Sequence, residues 1–197
     1  MKTIILGLAI LATGIFTATA QDGERIFKKF KGDVSLGYAA PLGSAVRGGI
    51  VFAMEPKFAL TDNLSVGLRV EGAVFGNFSN ALVYESETAK AAESYLATAD
   101  YYFTDNYSFR PFAGAGAGAF ILSTDALNSG SNKSSTKLGS VVRAGVEVKH
   151  FRLGVEYNFV PQTDLTSYDQ YGNALSGKSK NSYIGIKAGF CFGGGPR

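Results

Sequence analysis

Residues 64–77 read LSVGLRVEGAVFGN, and every second side chain is apolar: Leu64, Val66, Leu68, Val70 and Val74. Between them stand Ser65, Arg69, Glu71 and Asn77. A period of two is that of a β-strand with two unlike faces. One face suits an apolar medium, and the other carries full charges. No helix places these residues on separate sides.

The same period recurs along the chain. Residues 47–60 set Ile50, Phe52, Met54, Phe58 and Leu60 against Arg47, Glu55 and Lys57. Residues 136–149 set Leu138, Val142, Ala144, Val146 and Val148 against Arg143 and Glu147. Residues 150–161 set Phe151, Leu153, Val155, Tyr157 and Phe159 against Arg152, Glu156 and Asn158. Residues 181–192 set Ile184, Ile186, Ala188, Phe190 and Phe192 against Tyr183 and Lys187. With 33–42, 92–104 and 108–122 added, the pattern predicts eight strands.

The breaks between strands are of two kinds. Thr61-Asp62-Asn63, Asp105-Asn106-Tyr107 and the Lys149-His150 junction are tight turns, while 43–46, on the side of the longer connections, is the exception in being brief. Residues 78–91, 123–135 and 162–180 are long, polar connections. Short turns at one end and long loops at the other are the layout of an antiparallel up-and-down barrel in a bacterial outer membrane. In lipid the sheet must close, because an open edge leaves backbone groups without partners.

Composition agrees. Only 18% of the 197 residues are charged, and 25 are glycine, against about 25% charge and roughly 7% glycine on average. Many glycines share the charged face: Gly37, Gly49, Gly67, Gly114, Gly116, Gly118, Gly145, Gly154, Gly185 and Gly189. Small residues are what a narrow interior needs where long Arg and Glu side chains share the space. The charges are therefore placed inside and the Val, Ile, Leu and Phe face outside. The converse arrangement, a soluble periplasmic ligand-binding barrel with an apolar lining, is the alternative that periodicity leaves open. Pro56 and Pro111 each remove a ladder donor and are expected near the short-turn end, at a bulge or a hydrated rim. Aromatic bands are expected at both interfaces, from Phe58, Tyr101, Phe103, Phe109, Phe151, Phe190 and Phe192 at the short-turn end and Tyr38, Tyr95, Tyr157 and Phe159 at the other.

Residues 1–20, MKTIILGLAILATGIFTATA, have the form of an export signal. Lys2 precedes an apolar run, and Ala18-Thr19-Ala20 fits the small-x-small cleavage pattern. Cleavage is expected between Ala20 and Gln21, followed by a lead-in at 21–32 and a barrel domain at 33–197. The single Cys191 and single His150 exclude a disulfide framework, a cysteine-rich zinc site and any site needing two histidines. The net charge of +3 gives no case for nucleic acid.

The register predicts an interior charge network of Arg47, Glu55, Lys57, Arg69, Glu71, Asp100, Arg110, Arg143, Glu147, Arg152, Glu156 and Lys187. Unpaired charges in so narrow a space are costly, so they pair or are hydrated. A salt-bridged plug is the first expectation and a narrow low-conductance pore the alternative. Gly114-Ala115-Gly116-Ala117-Gly118 lacks the Lys-Ser/Thr and the helix of a phosphate loop; it is read as a strand that leaves interior room. No catalytic residue, metal site or cofactor is expected.

The stretches Glu55-Pro56-Lys57-Phe58, Thr61-Asp62-Asn63-Leu64, Gly67-Leu68-Arg69, Arg110-Pro111-Phe112 and Gly185-Ile186-Lys187-Ala188-Gly189-Phe190, in this order and spacing, resemble the small outer-membrane β-barrel proteins of Gram-negative bacteria, the family of OmpA- and OmpX-type barrels. The resemblance covers about residues 33–192. It implies residence in the cell outer membrane as a monomer among lipid and lipopolysaccharide. It also implies insertion by the outer-membrane assembly machinery, which commonly reads an aromatic at or near the end of the last strand; here Phe192 is followed by Gly193-Gly194-Gly195-Pro196-Arg197, so the terminal-aromatic rule is not met strictly. Barrel enzymes of this size, lipid A palmitoyltransferases and deacylases, use a histidine near the outer leaflet. His150 falls at a tight turn on the opposite end, where it is read as a solvated turn residue. The expected role is thus structural, with the loops free for surface ligands.

Overall fold

The computed structural model describes residues 26–42, 48–75, 88–126, 133–168 and 174–196. Among the described residues ten strands form: β1 (Phe30–Pro41), β2 (Gly49–Ala59), β3 (Leu64–Phe75), β4 (Thr88–Tyr102), β5 (Arg110–Ala126), β6 (Lys133–Val148), β7 (Phe151–Phe159), β8 (Thr163–Tyr168), β9 (Ala174–Ser179) and β10 (Tyr183–Gly193). Eight of them close an all-antiparallel up-and-down barrel, in the order β1-β10-β7-β6-β5-β4-β3-β2. The eight expected strands are these eight.

Each ladder keeps a single register. Following paired residues round the wall leads from Phe30 through Phe58, Val66, Ala99, Ala115, Val142, Tyr157 and Ile184 to Ala40, ten residues further along β1. Ten residues at ~3.3 Å each, against eight strand spacings of ~4.8 Å, give a tilt of about 40°, within the 35–45° that closed barrels adopt. Pro56 sits opposite Gly32, and the β2–β3 pairing skips from Met54↔Val70 to Lys57↔Gly67 without a change of register. The missing donor is met by a local gap in the ladder rather than by a bulge.

The wall has an apolar outside and a polar-to-apolar inside. Leu138 is 79% exposed, Leu68 67% and Ile186 60%, whereas Arg69, in the strand of Leu68, is 1% exposed. Water-soluble barrels hide such side chains; this one presents them. The ring pairs Phe30–Phe58, Tyr101–Phe103, Phe151–Phe190 and Phe190–Phe192 pack at the short-turn end, and Tyr157 packs on Phe159 at the other.

The element boundaries differ from the sequence expectation in three regions. The connection at 162–180, expected as loop, contains the hairpin β8–β9. β4 starts at Thr88, β5 continues to Ala126 and β6 starts at Lys133, so ladder pairs such as Ser123↔Ser134 persist where the alternation has faded. The sequence there turns to small and polar residues at both parities, so the period disappears although the backbone still pairs. At the other end β1 begins at Phe30, inside the expected lead-in. Residues 26–29 of that lead-in are tied down as well. Phe27 forms a bridge with Pro196, Lys28 N donates to Gly195 O (3.1 Å), and Asp62 accepts from the amides of Ile26 and Phe27.

Candidate functional site

Inward positions on adjacent strands face one another at the same height, so charges separated by dozens of residues meet across the barrel. At the short-turn end lies the larger of two clusters. Asp100 on β4 accepts from Lys57 Nζ (2.7 Å), Arg143 Nε (2.8 Å) and Arg152 Nη2 (2.8 Å). Lys57 also reaches Asp33 (2.5 Å), and Lys31 pairs with Glu147. Arg143 holds Glu55 in a two-pronged grip, Nη1 to Oε2 and Nη2 to Oε1, both 2.6 Å. Such a fork is the strongest geometry available to a guanidinium and a carboxylate. Thr98 Oγ1 donates to Glu55 as well (2.5 Å). Gly114 makes this packing possible: a Cβ there would lie 2.0 Å from Asp100 Oδ1 and 2.7 Å from Ala99 O.

Further up the barrel a smaller cluster joins Arg69, Glu71, Glu156 and Lys187. Arg69 pairs with Glu71 and with Glu156 (2.5 Å), and Lys187 pairs with Glu71 (2.6 Å) and Glu156 (2.8 Å). Asn158 Nδ2 donates to Glu156 Oε1 (3.2 Å), and the Tyr183 hydroxyl donates to Glu71 Oε1 (2.6 Å). Among the described residues no ion pair joins the two clusters.

The charges balance within each cluster. The larger holds Lys31, Lys57, Arg143 and Arg152 against Asp33, Glu55, Asp100 and Glu147. The smaller holds two cations against two carboxylates. A neutral cluster is what a narrow, poorly hydrated interior tolerates.

The sequence assigned seven basic and five acidic groups to this network, and the membership changes. Arg47 lies outside the described residues, as do Ala20 and Gln21. Arg110 is buried, but at the mouth. Its Nη2 donates to Asp62 O (2.5 Å) and its Nε to Thr104 O (3.3 Å), while the guanidinium lies 4.0 Å from the ring centre of Phe27 and 4.1 Å from that of Tyr102. Carbonyls and ring faces, rather than carboxylates, hold it. Lys31 and Asp33 are members that sequence reasoning missed. Their signal was present: the inward alternation Ser35, Gly37, Ala39 of β1 extends back through both.

Both ends of this polar lumen are covered. At the short-turn end the buried Phe27, from the segment preceding β1, packs beneath Arg110 and beside Tyr107. At the long-loop end the inward face turns apolar. Ala39, Val51, Ala73, Phe75, Ala92, Leu96, Phe120, Val141, Val160 and Tyr183 form one buried cluster, with Phe75 edge-on to Tyr183 at 5.4 Å. Sequence reasoning overlooked this cap because it followed charges along each strand and not the same parity beyond them.

His150 occupies the β6–β7 turn, where Lys149 adopts φ 55°. Its Nε2 lies 3.0 Å from the Tyr107 hydroxyl, its Nδ1 lies 3.0 Å from Cys191 O, and its ring stacks on Phe190. It is a rim latch more than a free turn residue, with both ring nitrogens engaged. Cys191 is a buried free thiol.

The sequence matches no described protein family and no curated protein. Among solved structures, the chain is similar to Neisserial surface protein A at 18% identity and a TM-score of 0.57, covering 85% of this chain and 98% of that one. It is similar to the outer membrane protein OprG from Pseudomonas aeruginosa at 12% identity and a TM-score of 0.58, covering 87% and 100%. At these identities the likeness establishes the fold: a small outer-membrane type of barrel.

Proposed function

We propose that this protein is an integral outer-membrane barrel with a closed interior, a structural scaffold that presents its long-loop end to the cell exterior. The observation that carries this reading is the inversion of the wall: bulky apolar side chains stand exposed outside, and paired charges lie buried inside. Hydrocarbon is the medium that makes such a wall favourable.

A conducting pore is the competing reading, and three features speak against it. The charges are paired within neutral clusters, Phe27 covers one mouth, and Phe120 and Val141 are fully buried in the apolar cap at the other. Eight strands leave an interior just wide enough for side chains to fill. Enzymatic chemistry finds no support either. Glu55 and Glu71, two inward carboxylates that could suggest acid–base chemistry, belong to different clusters and are saturated by Arg143, Arg69, Lys187 and Tyr183.

Toward the long-loop end β4, β5 and β6 run to 15, 17 and 16 residues against 9–12 in the other barrel strands, and β8–β9 form a separate hairpin. These elements are the surface offered to lipopolysaccharide or to external ligands. The test is fractionation of the cell envelope, followed by electrophoresis of the membrane pellet with and without boiling. A detergent-extractable outer-membrane band that changes mobility on boiling is expected. A soluble periplasmic protein without that shift overturns the reading and reinstates a ligand-binding barrel.

A further inference from the structure

Between the two charge clusters lies a cavity of about 30 Å³, walled by Asp33, Glu55, Arg69, Arg152, Gly154 and Lys187 among others. A water needs roughly 10–15 Å³ of such space, so the cavity has room for about two. Its walls carry polar atoms that the protein itself leaves unmatched. Arg69 Nε and Nη1, on a side chain with no exposure, find no acceptor among the protein's atoms, and Asp33 Oδ1 has no hydrogen-bond donor, Lys31 Nζ standing 3.8 Å away as an ion-pair partner only. Two donors belong to the smaller cluster and one acceptor to the larger. Buried donors of this kind carry a large penalty unless satisfied.

We propose that this cavity is a hydration site that joins the two clusters. Ordered water accepts from Arg69 Nε–H and Nη1–H and passes the hydrogen-bond chain to Asp33 Oδ1. Water suits the site better than an ion, because its walls demand both donation and acceptance. An anion would satisfy Arg69 but would stand among Asp33, Glu55 and Glu156 and leave Asp33 Oδ1 as it is. The two neutral clusters thereby become one continuous network spanning the polar part of the lumen, without opening a path through the apolar cap.

The test uses the full-length folded barrel, labelled with nitrogen-15, in detergent micelles. Water-selective cross-relaxation is read at the Arg69 Nε–H resonance, with Arg110 Nε–H for comparison. The native protein is expected to show a cross-peak to bound water at Arg69, unchanged when chloride is replaced by bromide. In Gly154→Ala the added Cβ meets Ala144 O and Phe112 Cζ at 3.5 Å, an ordinary contact, while taking volume from the cavity. That variant is expected to fold and to lose the cross-peak. Absence of the cross-peak in the native protein overturns the proposal, as does its full retention in Gly154→Ala. A shift of the Arg69 resonance on the chloride-to-bromide exchange overturns it in favour of an anion site. Should Gly154→Ala fail to insert, the native spectrum with its halide exchange decides alone.

Discussion

The lower and upper parts of the lumen are built on the same strands and the same alternation, yet they are filled in opposite ways. Below, each of the two clusters matches its cations one for one with carboxylates, and only Arg110 at the mouth is held by carbonyls and rings instead. Above, Val51, Phe75, Leu96, Phe120 and Val141 pack as they would in a soluble core. The difference shows that a barrel wall fixes only where side chains point. What fills the space follows from what each height can satisfy. The lower part is specific and intolerant of single losses, because removing one partner strands a buried charge. The upper part obeys packing, where cost follows volume.

Asp100 offers the sharpest way to break this contrast, since it holds Lys57, Arg143 and Arg152 at once. Asp100→Leu is expected to cost about 3–5 kcal/mol in urea unfolding of the refolded barrel, followed by the band shift on unheated gels. A cost below about 1 kcal/mol would mean that the lower lumen is hydrated enough to behave like solvent. Phe120→Ala probes the upper part and is expected to cost about 3 kcal/mol by cavity formation, with Asp100→Leu and Phe120→Ala additive because they share no partner. Strong coupling between them would show that the two parts are one unit. Arg143→Lys keeps the charge but loses the two-pronged grip on Glu55, an expected cost of about 1–2 kcal/mol by the same assay. Lys149→Gly touches neither part. It relieves a left-handed backbone at the rim and is expected to stabilise by about 0.5 kcal/mol; a larger change would implicate the turn in holding His150.

Most of this contrast was legible in the sequence, though not all of it was read. Alternation at 64–77 and 150–161 fixes strand, face and the identity of Arg69, Glu71, Arg152 and Glu156 as inward groups. The partner of each was not legible, since pairing between Arg69 and Glu156, or Lys57 and Asp100, depends on the ten-residue stagger of the closed barrel. Arg110 shares the inward parity but lies at the strand's first residue, where chain reversals offer carbonyls and rings instead of carboxylates. The role of Phe27 was hidden for a different reason. It sits before the first alternating segment, and only closure brings β1 beside β10 and so carries Phe27 to Pro196 across the mouth.

On the proposed reading the two fillings together seal the lumen, and single-channel recording in planar lipid bilayers is the direct check. The refolded native barrel is predicted to insert without unitary current steps, while a variant carrying both Phe27→Ala and Phe120→Ala, which thins both covers, is predicted to show brief openings. Reproducible steps from the native protein, unchanged in that variant, would contradict a sealed lumen and identify the charged clusters as the lining of a working pore.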